Sequence, residues 1–122
     1  MADFRNLRVW QKANQLSVAT AVAVESIRGV SASILRRQLL RATFSIQANI
    51  AEGSAKRSDR EFARFVRIAL GSSSESANHL ILLNQLGAID DTVFASLDTE
   101  LDEVGRMLSG LERRLSAPES AP

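Results

Sequence analysis

Arg41, Ser45, Asn49 and Glu52 follow one another at spacings of four, four and three. On a helix that spacing lines up a cation, a hydroxyl, an amide and a carboxylate along one stripe, with Gln38 one turn earlier. A hydroxyl and a carboxylate invite a hydrolytic reading, but rise per residue opposes it. Arg41 and Glu52 are separated by about 16 Å along a helix axis and cannot converge on one substrate atom. The stripe therefore reads as a structural network of hydrogen bonds and ion pairs, with no catalytic residue assigned. Glu52 stands near a helix C-terminus, where a carboxylate opposes the macrodipole by about 0.3–1 kcal/mol. A compensating cation is expected, either from Lys56, Arg57 or Arg60 or from Arg41 of a neighbouring copy.

The second group that could do chemistry is a row of cations. Arg60, Arg64 and Arg67 repeat at i, i+4 and i+7, on the side of a helix opposite Phe62 and Leu80, and Lys56 and Arg57 precede them. Arginine predominates, which suits forked contacts to phosphate, and a helix start adds amide donors. The five residues are the candidate nucleic-acid contacts, acting on phosphates without reading bases. The bland alternative is a solvated face that carries solubility charge. Exposed aromatic platforms for stacking single strands are not expected, because most of the six aromatics fall at core-like positions.

Composition closes other routes. The chain has no cysteine and one histidine, His79, so thiolate chemistry and the multi-histidine zinc cage are excluded. No metal and no cofactor is expected. The formal charge of +1 conceals a division, with twelve Lys/Arg against five Asp/Glu in residues 1–67 and three against nine in residues 68–122. The apolar run LSVATAVAV (16–24) follows three basic residues. Its helical periodicity continues upstream through Trp10 and Ala13, unlike a leader peptide. No run reaches the roughly 20 apolar residues of a membrane span, so a cytoplasmic protein without a membrane partner is expected.

The elements that must position these residues are helices. Residues 1–116 read as one domain, with helices over about 7–28, 33–52, 59–86 and 91–115, and residues 117–122 as a disordered tail. Gly29 and Gly87 mark stops, and Gly53 is expected as the left-handed residue closing the second helix. Ser58-Asp59-Arg60-Glu61 is a capping box, and Asp90 or Asp91 caps the last helix. Phe94, Leu97, Leu101, Val104, Leu108, Leu111 and Leu115 repeat at alternating spacings of three and four, a bundle seam. Short connections then favour an all-α, antiparallel up-down-up-down four-helix bundle. The second helix carries a further apolar strip, Leu40 and Phe44 with Ala51, which points to self-association.

The segments LRVWQKANQL (7–16) and RATFSIQANIAEGSAKRSDREFARFVRIALGSSSES (41–76), with the leucines of the last helix, resemble the bacterial family of 23S rRNA intervening sequence proteins. That family is related to the accessory variability proteins of diversity-generating retroelements. The resemblance implies a ring-shaped homopentamer whose basic surface contacts RNA or DNA and a reverse transcriptase, and it implies no catalytic activity. Ser45, Asn49, Glu52 and Gly53 match the family's signature. Two departures stand out: SIRGVSASIL lacks the Phe-Pro and Gly-Leu usual between the first two helices, and Leu40 replaces a second arginine common before Arg41. The function expected is a non-enzymatic oligomeric accessory protein that binds nucleic acid with little sequence specificity. An oligomeric interaction scaffold with no nucleic-acid role is the alternative.

Overall fold

The computed structural model describes residues 3–118. A 3-10 turn, Phe4–Asn6, leads into four helices: α1 (Arg8–Val24), α2 (Val30–Ser54), α3 (Asp59–Gln85) and α4 (Asp91–Ser116). Connections of four or five residues turn each helix back on the last, and α1 returns to pack on α4. The diagonal pairs do not touch among the described residues, so the section is a square with α2 and α3 sharing the most extensive contact. This is the expected up-down-up-down bundle. The expected tail, 117–122, falls mostly at 119–122, outside the described residues.

The core is built from the apolar stripe of each helix. Ala13, Leu16 and Val24 of α1 meet Leu39, Ile46 and Ile50 of α2, Val66, Leu80 and Leu83 of α3, and Leu101, Val104 and Leu108 of α4. At about 25 cal/mol per Å² of apolar surface removed from water, these side chains supply most of the driving force. Two hydroxyls inside this core pair across α2 and α3: Thr43 and Ser76 lie 3.1 Å apart, and the Ser76 hydroxyl also donates to the Ser72 carbonyl. Ser73 and Ser76 are buried, as their small size on the α3 stripe predicts.

Helix ends depart from expectation where backbone partners intervene. The first helix stops at Val24 and not near Arg28. The Ile27 amide turns back to the Val24 carbonyl, and the Arg36 guanidinium donates to the carbonyls of Glu25 and Ile27. Gly29 (φ 97°) then allows α2 to start at Val30, three residues before Ser33. Gly87, the expected stop after α3, is left-handed (φ 73°), and the Ala88 amide reaches the Leu83 carbonyl in a Schellman closure.

Gly53 is the clearest correction. Its φ is not positive, and it lies buried inside α2, which runs one residue further. A Cβ there would meet the Phe62 ring at 2.9 Å, so the glycine serves close helix approach and not a turn. The capping box is half made. Ser58 Oγ accepts the Glu61 amide at 3.2 Å, but the Glu61 carboxylate returns no bond to the Ser58 amide. Asp90 caps α4 as expected by accepting the Val93 amide at 2.8 Å.

Candidate nucleic-acid interface

Up-down-up-down topology carries the start of α1, the end of α2, the start of α3 and the end of α4 to one end of the bundle. Lys56 and Arg57 sit in the turn between α2 and α3, and Arg57, Arg60, Arg64 and Arg67 are all exposed, facing away from the core as their spacing predicts. They are not equally available. Lys56 Nζ lies 5.2 Å and the Arg64 guanidinium 4.7 Å from the centre of the Phe65 ring, cation–π contacts that hold both side chains over one aromatic. Arg67 Nη1 donates to Glu112 Oε1 of α4 at 3.1 Å. Arg57 and Arg60 make no ion pair among the described residues.

Three further cations join this end that sequence reasoning missed. Arg8 opens α1, and Arg113 and Arg114 occupy the last turn of α4. The Arg67–Glu112 pair fixes the end of α4 beside α3. A crevice shared by Leu7, Arg8 and Arg114 fixes it beside α1 as well. The signal was available in the antiparallel order, which returns the end of the last helix to the start of the third. It was obscured because residues 68–122 are acidic in sum. The acids of α4 lie mainly in its earlier turns, where Asp98 and Asp102 border a groove against Ser73 and Ser74 of α3.

Aromatic placement also differs from expectation. Of the six aromatics only Phe65 is fully buried, whereas Trp10, Phe4, Phe62 and Phe94 are half-buried and Phe44 is exposed. Phe4 and Trp10 pack edge to face with ring centres 5.1 Å apart, beside Arg5. Asp3 neutralises much of Arg5: its carboxyl accepts the Arg5 side chain and amide, which lower its pKa from 3.8 to about 2.

Within the stripe Arg41, Ser45 and Asn49 make hydrogen bonds, with partners other than the expected ones. Arg41 Nη2 donates to Glu75 Oε2 at 2.7 Å and to Gln38 Oε1 at 3.0 Å, and Glu75 also meets His79 Nε2 at 3.1 Å. The Ser45 hydroxyl pairs with Ser72 at 2.9 Å, and Asn49 Nδ2 donates to the Ser45 carbonyl and hydroxyl. Among the described residues the Ser45 hydroxyl's side-chain partners are Ser72 and Asn49. Glu52 is exposed, and among the described residues no cation pairs with it, so the expected compensating partner is not found there. The described residues hold no cluster of three or more metal-ligating side chains, and none of their helices is long and apolar enough to cross a membrane.

The second apolar strip is larger than Leu40 and Phe44. Leu40 is only half-buried at the core margin and shares a surface depression with Val22 of α1. Phe44 is 46% exposed, and Val18 and Val22 are more so. Ile34 of α2, Leu82 of α3 and Leu86 just beyond α3 are exposed. None of the exposed large hydrophobics among the described residues lies on α4.

The fold and the site together define an all-α four-helix bundle with a cationic end and exposed apolar side chains on α1–α3. The model of the 23S rRNA-intervening sequence protein family matches residues 5–110, and the chain belongs to that family. The crystal structure of a protein of unknown function from the S23 ribosomal protein family of Bacteroides thetaiotaomicron superposes with a TM-score of 0.79 at 24% identity. The match covers 86% of this chain and 98% of that one. At that identity the likeness concerns the fold. No curated protein matches the chain.

Proposed function

We propose that the protein is a non-enzymatic accessory factor that binds RNA or DNA through phosphate contacts at the cationic end, with little sequence selectivity. The observation that carries this reading is the gathering of arginines from α1, α3 and α4 at one end, with Arg57 and Arg60 free of ion pairs among the described residues. The family's description, which refers to an intervening sequence of 23S rRNA, agrees with a nucleic-acid partner. Each lost phosphate contact lowers the slope of log affinity against log salt by roughly one. Binding of RNA and DNA oligonucleotides across a salt series therefore tests the proposal. Arg60→Ala/Arg64→Ala is expected to weaken binding and flatten the slope by roughly two. A wild type that binds neither nucleic acid at low salt refutes it.

Exposed apolar side chains on α1, α2 and α3 favour a second, compatible element: self-association into a ring, a pentamer by the resemblance, in which repeated cationic ends add avidity. Light scattering checks this, with Phe44→Asp expected to yield smaller species. An oligomer without nucleic-acid affinity would support the scaffold reading instead.

A further inference from the structure

The first turn of α1 and the last three turns of α4 border a crevice of about 330 Å³. Its rim carries Arg8, Arg106 and Arg114, and Leu7, Met107 and Leu111, all half-buried, give it an apolar wall. No carboxylate lines it. Arg106 is tied to Asp102 one turn away, at 3.0 Å, whereas Arg8 and Arg114 make no ion pair among the described residues. Lys12 of α1 pairs with Glu103 of α4 at 3.5 Å, so Glu103 is already partnered. Gly110 contributes the opening: a Cβ placed there would come within 3.7 Å of Arg114 Nη1 and 3.8 Å of Arg113 Nη2, so both guanidinium groups fold over the glycine.

Cations above an apolar wall complement a ligand that is anionic at one end and flat and apolar at the other. The volume lies at the lower end of small-ligand sites, which suits one nucleotide and not a stacked run. Guanidinium groups both fork onto phosphate oxygens and stack on bases. The geometry points to this crevice as a nucleotide-binding subsite of a bound strand, with phosphate on Arg8 and Arg114 and the base against Leu7, Met107 and Leu111. This inference rests on the nucleic-acid reading for its source of nucleotide, but it involves a different groove from the α3 arginines.

The crevice has its own reporter, because Met107 is one of only two methionines. The Met107 methyl resonance is followed while AMP, adenosine, inorganic phosphate or a single-stranded oligoadenylate is added. AMP and the oligoadenylate are expected to shift it, the oligoadenylate at the lower concentration, and adenosine or phosphate alone only weakly. Arg8→Ala/Arg114→Ala is expected to weaken AMP by about tenfold or more. Gly110→Leu, which fills the opening without removing charge and improves helix propensity, should abolish both shifts with helicity by circular dichroism unchanged. An oligoadenylate that binds without moving Met107, or AMP binding unaltered in Arg8→Ala/Arg114→Ala, overturns the subsite and leaves the proposed function standing. Phosphate as effective as AMP overturns the nucleotide assignment. AMP binding without oligoadenylate binding overturns the strand as its source and the proposed function with it.

Discussion

A Cβ on Gly53 would lie 2.6 Å from the Cβ of Phe65, closer than side-chain carbons approach one another. The end of α2 and the start of α3 therefore meet at a separation that only glycine permits, and the turn presenting Lys56 and Arg57 depends on that contact. Gly53→Ala is expected to cost about 1–3 kcal/mol in overpacking, offset by about 1 kcal/mol of improved helix propensity. Chemical denaturation should show a net loss. Gly71, exposed in α3 with open space around its Cβ position, is the contrast: Gly71→Ala should stabilise by about 0.5–1 kcal/mol.

Thr43 and Ser76 join α2 to α3 inside the core. Thr43→Val keeps the shape and removes the hydroxyl, and Ser76 retains its bond to the Ser72 carbonyl. A loss of about 0.5–1.5 kcal/mol is expected by denaturation. Thr43→Val/Ser76→Ala together should cost less than the two single losses combined, because neither variant then leaves a buried hydroxyl short of its partner.

The Arg41–Glu75 pair is short, but its side chains are 65% and 38% exposed. Solvent screening keeps such pairs small, so a double-mutant cycle with Arg41→Ala and Glu75→Ala should give a coupling below about 1 kcal/mol, and less in 1 M salt. Much larger coupling would mean that another group shields the pair from water.

Asp3 offers a pH reporter at the chain's start. Its carboxyl is held at about 2, first by the hydrogen bond from the Arg5 side chain and then by the Arg5 amide. Because the folded value lies below the ordinary 3.8, the interaction is fully present above that value and is lost as pH falls through about 2. Carboxyl carbon NMR should give that midpoint for wild type, and Arg5→Ala should move it upward toward 3.8.

The seam of α4 was legible because alternating spacings of three and four describe only a helix with one buried face. Ser58, Asp90 and Gly87 were legible for a similar reason, since caps and stops act through neighbours within a few residues. Gly53 was misread because a glycine after a helical run has two uses, a left-handed turn or a close approach, and only the position of Phe62 and Phe65 distinguishes them. Glu61 was assigned to its cap by pattern, and the folded geometry left it out.

The sequence by itself determined the four helices, their antiparallel order, and the outward face of Arg60, Arg64 and Arg67, because each follows from local periodicity and short connections. Only the tertiary structure decided the partners. Arg67 is tied to Glu112 and Arg41 to Glu75. Arg8 and Arg114 flank one crevice although more than a hundred residues separate them in the chain. Side chains from opposite ends of a sequence meet only when the core fixes the axial register of its helices, and that register is set by interhelical packing which no local pattern encodes.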